Sequence, residues 1–298
     1  MKKIVFMVML FAGLSMAGFA EAYVRSTKHD GALTVKEATT AEIENLFLQN
    51  DFQDYAVKRG KFPRIYMEHL PTDWKDVAEN DAKHRTFIRI LLPLVLKINE
   101  EIAHERKIVE ELKDKYIKER KLSMTELSYL EETARKYDVF TRLKGKLRTQ
   151  SLIRQLLVKI DAVPPSIMIA TAAIYTDWGN SRLAMTANSL YLNEVWYQDE
   201  GIIPLDDPEG GYRYKAYDKL EDCIREKALA LNSHVNYEYM REARRLSRQK
   251  NLPPYGEQLA AQMLSDSNLP NISGLIDYTF TFYKLNNTDF FPQLRHVK

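Results

Sequence analysis

The chain has 298 residues, with 43 Lys and Arg against 41 Asp and Glu, for a formal net charge of +2. That charge is too small to imply a nucleic-acid partner, and the intermixed signs read as solvated helix faces. The lone cysteine, Cys223, excludes an intrachain disulfide and reads as a small buried hydrophobe. The histidines are scattered without zinc-ligand spacing, so neither a metal nor a cofactor is expected.

Met1-Lys2-Lys3 precedes an apolar run over residues 4–19, and small residues follow up to Ala22. This is the pattern of a secretory signal peptide over 1–22, cleaved after Ala20 or Ala22. No Cys lies near that point, so no lipoprotein anchor is expected, and no later run is long and apolar enough to span a membrane. Residues 23–40 are polar and weakly patterned and read as a flexible lead-in. Residues 41–157 read almost entirely as helix, and 41–147 as a helical N-terminal region. Phe87, Ile88, Leu91, Leu92, Val95, Ile98 and Ile102 recur at three- and four-residue steps, the mark of one buried helical face. Pro93 inside that run predicts a kink or a first turn. Glu111 and Lys115 are spaced for an i,i+4 pair.

Ser123-Met-Thr-Glu126 predicts a capping box opening a helix over 123–137. Another helix is expected over 148–160. Val163-Pro164-Pro165-Ser166 then marks a boundary, with Pro165 suited to the first turn of the next helix. That helix carries Ala172-Ala-Ile-Tyr-Thr-Asp-Trp-Gly-Asn-Ser-Arg182 and is expected to end near Gly179. Residues 191–217 change character, with clustered aromatics, Gly and Pro. The run 211–217 alternates as a strand, with 201–204 as its partner. Helices resume from Asp218 and close the chain. The whole reads as a mostly α (α+β) protein, with a small β insertion in the domain spanning 148–298.

Three blocks carry a resemblance. The first is Val163-Pro164 with Ser166, then Asp177-Trp-Gly-Asn-Ser-Arg182, then Asn188-Ser-Leu190. The second is Tyr217-Asp-Lys-Leu-Glu-Asp222 with Leu231-Asn232-Ser-His234 and Tyr237. The third is Leu91-Leu-Pro-Leu94 with Asn99-Glu100 and Glu105-Arg106. In this order they resemble a bacterial Bax-like envelope protein with a glucosaminidase domain of the mannosyl-glycoprotein endo-β-N-acetylglucosaminidase type. The resemblance implies a lysozyme-like helical domain, action on peptidoglycan glycan strands, and a glycosidase site. The low cysteine content and the lack of a wall-anchor signal fit the periplasm of a Gram-negative cell as the destination, and an envelope partner bound through the N-terminal helices is a further option.

The pattern departs from that family where the chemistry sits. The family places a Glu at the position of Tyr175. Glycosidic cleavage needs a carboxylic acid of raised pKa to protonate the leaving oxygen, and a phenol with a pKa near 10 is a poor donor at neutral pH. On a continuous helix, positions 175 and 177 point about 200° apart, so Asp177 would face away from a cleft that Tyr175 faces. The β insertion offers further carboxylates, among them Glu200 and Glu209. Leu192 stands where the family has a Gly, and Leu264 where it has a Tyr. Trp178, Tyr191, Trp196, Tyr212 and Tyr214 are expected to bind substrate, since aromatic faces stack on sugar rings, and the resemblance implies Asn188 beside them. Three functions stay open: a protein that engages peptidoglycan with weak or no hydrolysis, an active peptidoglycan N-acetylglucosaminidase using another carboxylate, and a helical partner-binding scaffold.

Overall fold

A computed structural model of the protein describes residues 25–196, 201–205, 207–253, 256, 260 and 272–298. The expected signal peptide, Glu200 and Leu264 lie outside the described residues. In chain order come β1 (Arg25–His29), β2 (Ala32–Glu37), α1 (Thr40–Gln49), β3 (Lys61–Pro63), β4 (Ile65–Met67) and α2 (Asp81–Glu119). Then follow α3 (Met124–Lys136), α4 (Gly145–Lys159), α5 (Pro165–Thr176), α6 (Arg182–Ala187), β5 (Glu194–Val195) and β6 (Arg213–Tyr214). The chain closes with α7 (Leu220–Ser233), α8 (Glu238–Gln249), α9 (Ile272–Tyr283) and β7 (Gln293–Arg295). This is the mostly helical α+β class the sequence predicts, and a small β insertion follows the motif helix.

The chain forms two compact units. The first takes the described residues of Met1–Leu94, Thr171–Cys223 and Pro292–Lys298, and the second takes Val95–Ala170 and Ile224–Phe291. Neither is continuous in sequence.

In the first unit, residues 25–37 are a paired hairpin rather than a flexible lead-in. β1 and β2 run antiparallel, and β2 pairs in parallel with β4. The link is Asp30-Gly31, both at positive φ, the combination a two-residue hairpin turn favours. Only Val35 of this hairpin is buried, so the strands carry no alternation from which a sequence reading could find them. β3 pairs in parallel with β7 from the end of the chain. These short strands interrupt a stretch that reads as helix. α1 is opened by a capping box of Thr39 and Glu42 and buries Ile43 and Phe47. Phe47 meets Phe52 edge to face at 5.2 Å. The first turns of α2 bury Phe87, Ile88, Leu91 and Leu92 completely, and the helix passes through Pro93 without ending.

In the second unit, α2 continues the same buried face through Val95, Ile98, Ile102, Val109, Leu112 and Tyr116. The capping box of Ser123 and Glu126 opens α3 as expected. Lys115 bonds to Glu126 at 2.8 and 3.0 Å instead of forming the expected pair with Glu111, since Glu126 is brought in by the fold. The Asn99 side chain clasps Val163, donating to its carbonyl at 2.8 Å and accepting from its N–H at 2.9 Å. α5 starts at Pro165, which has no N–H to leave unsatisfied in a first turn.

Candidate functional site

The motif after α5 is folded by its own residues. α5 ends at Thr176, three residues before the expected stop. Asp177, Trp178 and Gly179 all have positive φ, at 48°, 55° and 87°. Trp178 N–H reaches back to the Ala173 carbonyl at 2.8 Å, which is the long bond of a Schellman termination with Asp177 in the left-handed position. The Thr176 hydroxyl accepts from Gly179 N–H at 2.9 Å. The helical phase argument therefore does not reach Asp177: its direction is set by a left-handed turn, not by a 100° step. Asp177 is exposed to solvent.

Most motif side chains are committed to local structure. The Trp178 ring stacks on His84 at 4.0 Å, and its carbonyl accepts from Trp74 Nε1 at 3.0 Å. Asn180 donates to Glu79 at 2.8 Å and accepts from the buried Lys83 at 2.7 Å. Burial pushes the Glu79 carboxyl up, but hydrogen bonds from Asn180, His84 and Lys83 outweigh burial and hold it below the usual range. Ser181 caps α6 by accepting from Ala184 N–H at 3.2 Å. Arg182 donates to the Ile203 carbonyl at 2.7 Å, tying the β insertion to this turn. Glu79, Lys83 and His84 are partners that sequence reasoning missed, because nothing local links them to a motif so far along the chain.

The predicted substrate-binding residues separate into two groups. Asn188 is buried and occupied: its Nδ2 lies 3.0 Å from His69 Nδ1 and donates to the carbonyls of Tyr217 and Asp218 at 3.0 and 3.1 Å. It closes the insertion. Tyr191 is buried, and burial drives its phenol well above the ordinary value; it packs in the core and presents no ring to a sugar. Cys223 is also buried there, accepting from Leu190 N–H at 3.3 Å. Trp196, Tyr212 and Tyr214 form the other group. Trp196 is 68% exposed, and its ring lies 5.9 Å from Tyr212, which meets Tyr214 edge to face at 5.6 Å.

The trio rides on β5 and β6, which run antiparallel, and Ile202 adds a bridge to Tyr214. The strand expected over 211–217 and its 201–204 partner thus meet, with β5 as an additional neighbour. Leu192 keeps a left-handed backbone, φ 53°, without the glycine. Asn193 on its far side accepts from Lys215 N–H at 2.8 Å through its carbonyl and donates to Tyr217 at 2.7 Å through its side chain. That clasp holds a conformation costing a β-carbon-bearing residue roughly 1–2 kcal/mol.

Tyr175 sits in the last turn of α5, half-buried. Glu209 is exposed in the turn at 207–210. Among the described residues, the carboxyl with a raised pKa is Asp289, in the second unit; burial pushes it up to about 7 against hydrogen bonds from Ser166 and Gly256. It is enclosed, accepting from Ser166 N–H at 3.0 Å, Ser166 Oγ at 2.6 Å and Gly256 N–H at 2.8 Å. A β-carbon on Gly256 would lie 1.9 Å from Ser166 Oγ, so that approach needs glycine. Among the described residues no three His, Cys, Asp or Glu side chains gather to hold a metal ion, and no helix is long and apolar enough to cross a membrane.

No family model and no curated protein matches the chain. Among solved structures it is similar to the catalytic domain of the autolysin Auto from Listeria monocytogenes. The identity is 13% and the TM-score 0.36, over 72% of this chain and 91% of that one.

Proposed function

We propose that this chain is an exported cell-envelope protein that holds peptidoglycan glycan strands and cleaves them weakly or not at all. The observation that carries this reading is the aromatic trio on the insertion, with Trp196 largely in solvent beside Tyr212 and Tyr214. An exposed indole ring beside two tyrosines offers flat aromatic surface with polar edges, and pyranose faces are suited to such rings. The motif blocks supply the glycan class, and Tyr175 at the place of the family Glu supplies the loss of hydrolysis. A phenol such as that of Tyr175 is a poor proton donor to a leaving oxygen at neutral pH. Asp177 and Glu209 are exposed to water, which gives neither the desolvation that makes a carboxyl a general acid.

The test is to incubate purified protein with peptidoglycan sacculi and measure both released muropeptides and protein co-sedimenting with the sacculi. Expected are no release above a heat-inactivated control and clear co-sedimentation. Trp196→Ala combined with Tyr212→Ala should weaken sedimentation about five- to tenfold. Muropeptide release that Asp177→Ala abolishes would overturn the reading in favour of an active glucosaminidase. Neither release nor sedimentation would overturn it in favour of a helical partner-binding scaffold.

A further inference from the structure

The second unit contains a cavity of about 440 Å³, within the ~300–1,000 Å³ of small-molecule sites. The last turns of α2, the middle of α4 and the end of α8 wall it. Its lining is part apolar, with Tyr116, Ile117, Ile153 and Leu157, and part basic, with Arg106, Lys113, Arg120, Arg154, Arg245 and Arg248. Among the described residues no carboxylate lines it. Four of these cations are already matched: Arg106 by Glu110, Lys113 by Asp114, Arg245 by Glu242 and Arg248 by Asp161. Arg120 and Arg154 are exposed and make no ion pair among the described residues. Ile117, next to them, is 58% exposed.

Apolar lining and two guanidiniums with no ion pair among the described residues define a ligand with both properties. A bare inorganic anion would leave the apolar lining wet. A neutral lipid would leave both guanidiniums without a counter-charge. A nucleic-acid backbone calls for a longer track of free cations and for stacking platforms. We propose that the cavity binds one anionic amphiphile, its hydrocarbon chain against Tyr116, Ile117, Ile153 and Leu157 and its phosphate or carboxylate head on Arg120 and Arg154. The guanidinium fork matches either head bidentately. The site uses none of the residues on which glycan holding rests, so either reading can fail alone.

The experiment is calorimetric titration of the purified protein with dodecyl phosphate below its micelle concentration. Inorganic phosphate and neutral dodecyl maltoside serve as the head-only and chain-only probes. Dodecyl phosphate should saturate one site, and both controls should bind at least about tenfold more weakly. Arg120→Ala with Arg154→Ala, and separately Ile117→Asp, should each cost about tenfold or more in affinity. Their urea midpoints should stay at the wild-type value, as expected for exposed positions. Arg142→Ala, an exposed arginine outside the cavity, should change nothing. Equal binding of the neutral probe, wild-type affinity in the double Arg variant, or an equal loss in Arg142→Ala would each overturn the proposal. Flotation with phosphatidylglycerol or phosphatidylcholine vesicles identifies the source. Capture by phosphatidylglycerol alone, lost in the double variant, supports a bilayer lipid. Dodecyl phosphate binding without vesicle capture supports a free amphiphile.

Discussion

Asp161 and Asp177 flank helix α5, one just before it and one just after, and the protein treats them oppositely. Asp161 is 3% exposed and accepts from Arg248 Nε at 2.7 Å and also from its Nη2. Arg244 and Arg106 add their charges from 3.9 and 3.8 Å. Burial pushes Asp161 up, but Arg248, Arg244 and Arg106 outweigh it and hold the carboxyl below its usual range. The same arginines cap the end of α4: Arg106 donates to the carbonyls of Leu157 and Ile160 at 2.7 Å, and Arg244 to that of Lys159 at 3.1 Å. Asp177 stands in solvent on a left-handed turn. The difference teaches where this chain spends its carboxylates. Among the described residues, the buried ones, Asp161 and Asp289, are enclosed by donors and hold structure together. The one nearest the motif has no such surroundings.

That contrast can be broken by substitution, and the largest effect is expected at Asp161. Asp161→Ala leaves a fully buried Arg244 without its counter-charge and should cost about 3–5 kcal/mol of folding stability in urea denaturation. A loss near zero would mean that the arginines find other acceptors and that Asp161 is no different from Asp177. Asp289 gives the next effect, through pH. Its folded pKa, about 7, lies above the unfolded value of 3.8, so the native state holds the extra proton. Its contribution is full below about pH 4 and is lost as pH rises through 7, at no more than about 1.4 kcal/mol per pH unit. Asp289→Asn should flatten this part of the stability profile, and an unchanged slope in that variant would remove Asp289 as its source.

Leu192→Gly should be stabilising by about 1 kcal/mol in thermal or urea unfolding, because the left-handed backbone then carries no β-carbon penalty. Destabilisation would show that the leucine side chain contributes more than its backbone costs. The smallest effect is expected at Asp177. Asp177→Ala should stay within about 0.5 kcal/mol of wild type and leave sedimentation with sacculi intact. A clear loss of binding would sharpen the comparison the other way, giving Asp177 a direct part in holding glycan.

Much of the helical frame was legible because its signals are local. The capping box of Ser123 and Glu126, the Pro165 start of α5 and the three- and four-residue apolar steps of α2 each act within one or two turns. Alternation over 211–217 points to the insertion's strand, of which Arg213–Tyr214 is paired. The hairpin at 25–37 was not, because its strands are held by pairing with each other and with β4 and show almost no buried face. The end of α5 was misplaced by three residues, since an Asp in the left-handed position of a Schellman turn is a rarer signal than the Gly179 that follows. At the site, aromatic clustering pointed to Trp196, Tyr212 and Tyr214 together. It also points to Tyr191, and the motif blocks point to Asn188; both are buried, because residue type does not carry burial.

The sequence by itself determined the helical class and the order of its helices, since these depend on residue identity and near-neighbour spacing. Only the tertiary structure decided which carboxylates are desolvated, which aromatics remain in water and, among the described residues, which arginines make no ion pair. Those properties depend on groups far apart in the chain: Glu79 with Asn180, Asp289 with Ser166, Asp161 with Arg248. Electrostatics and solvation act over a few ångströms of space, and no local pattern in the sequence encodes them.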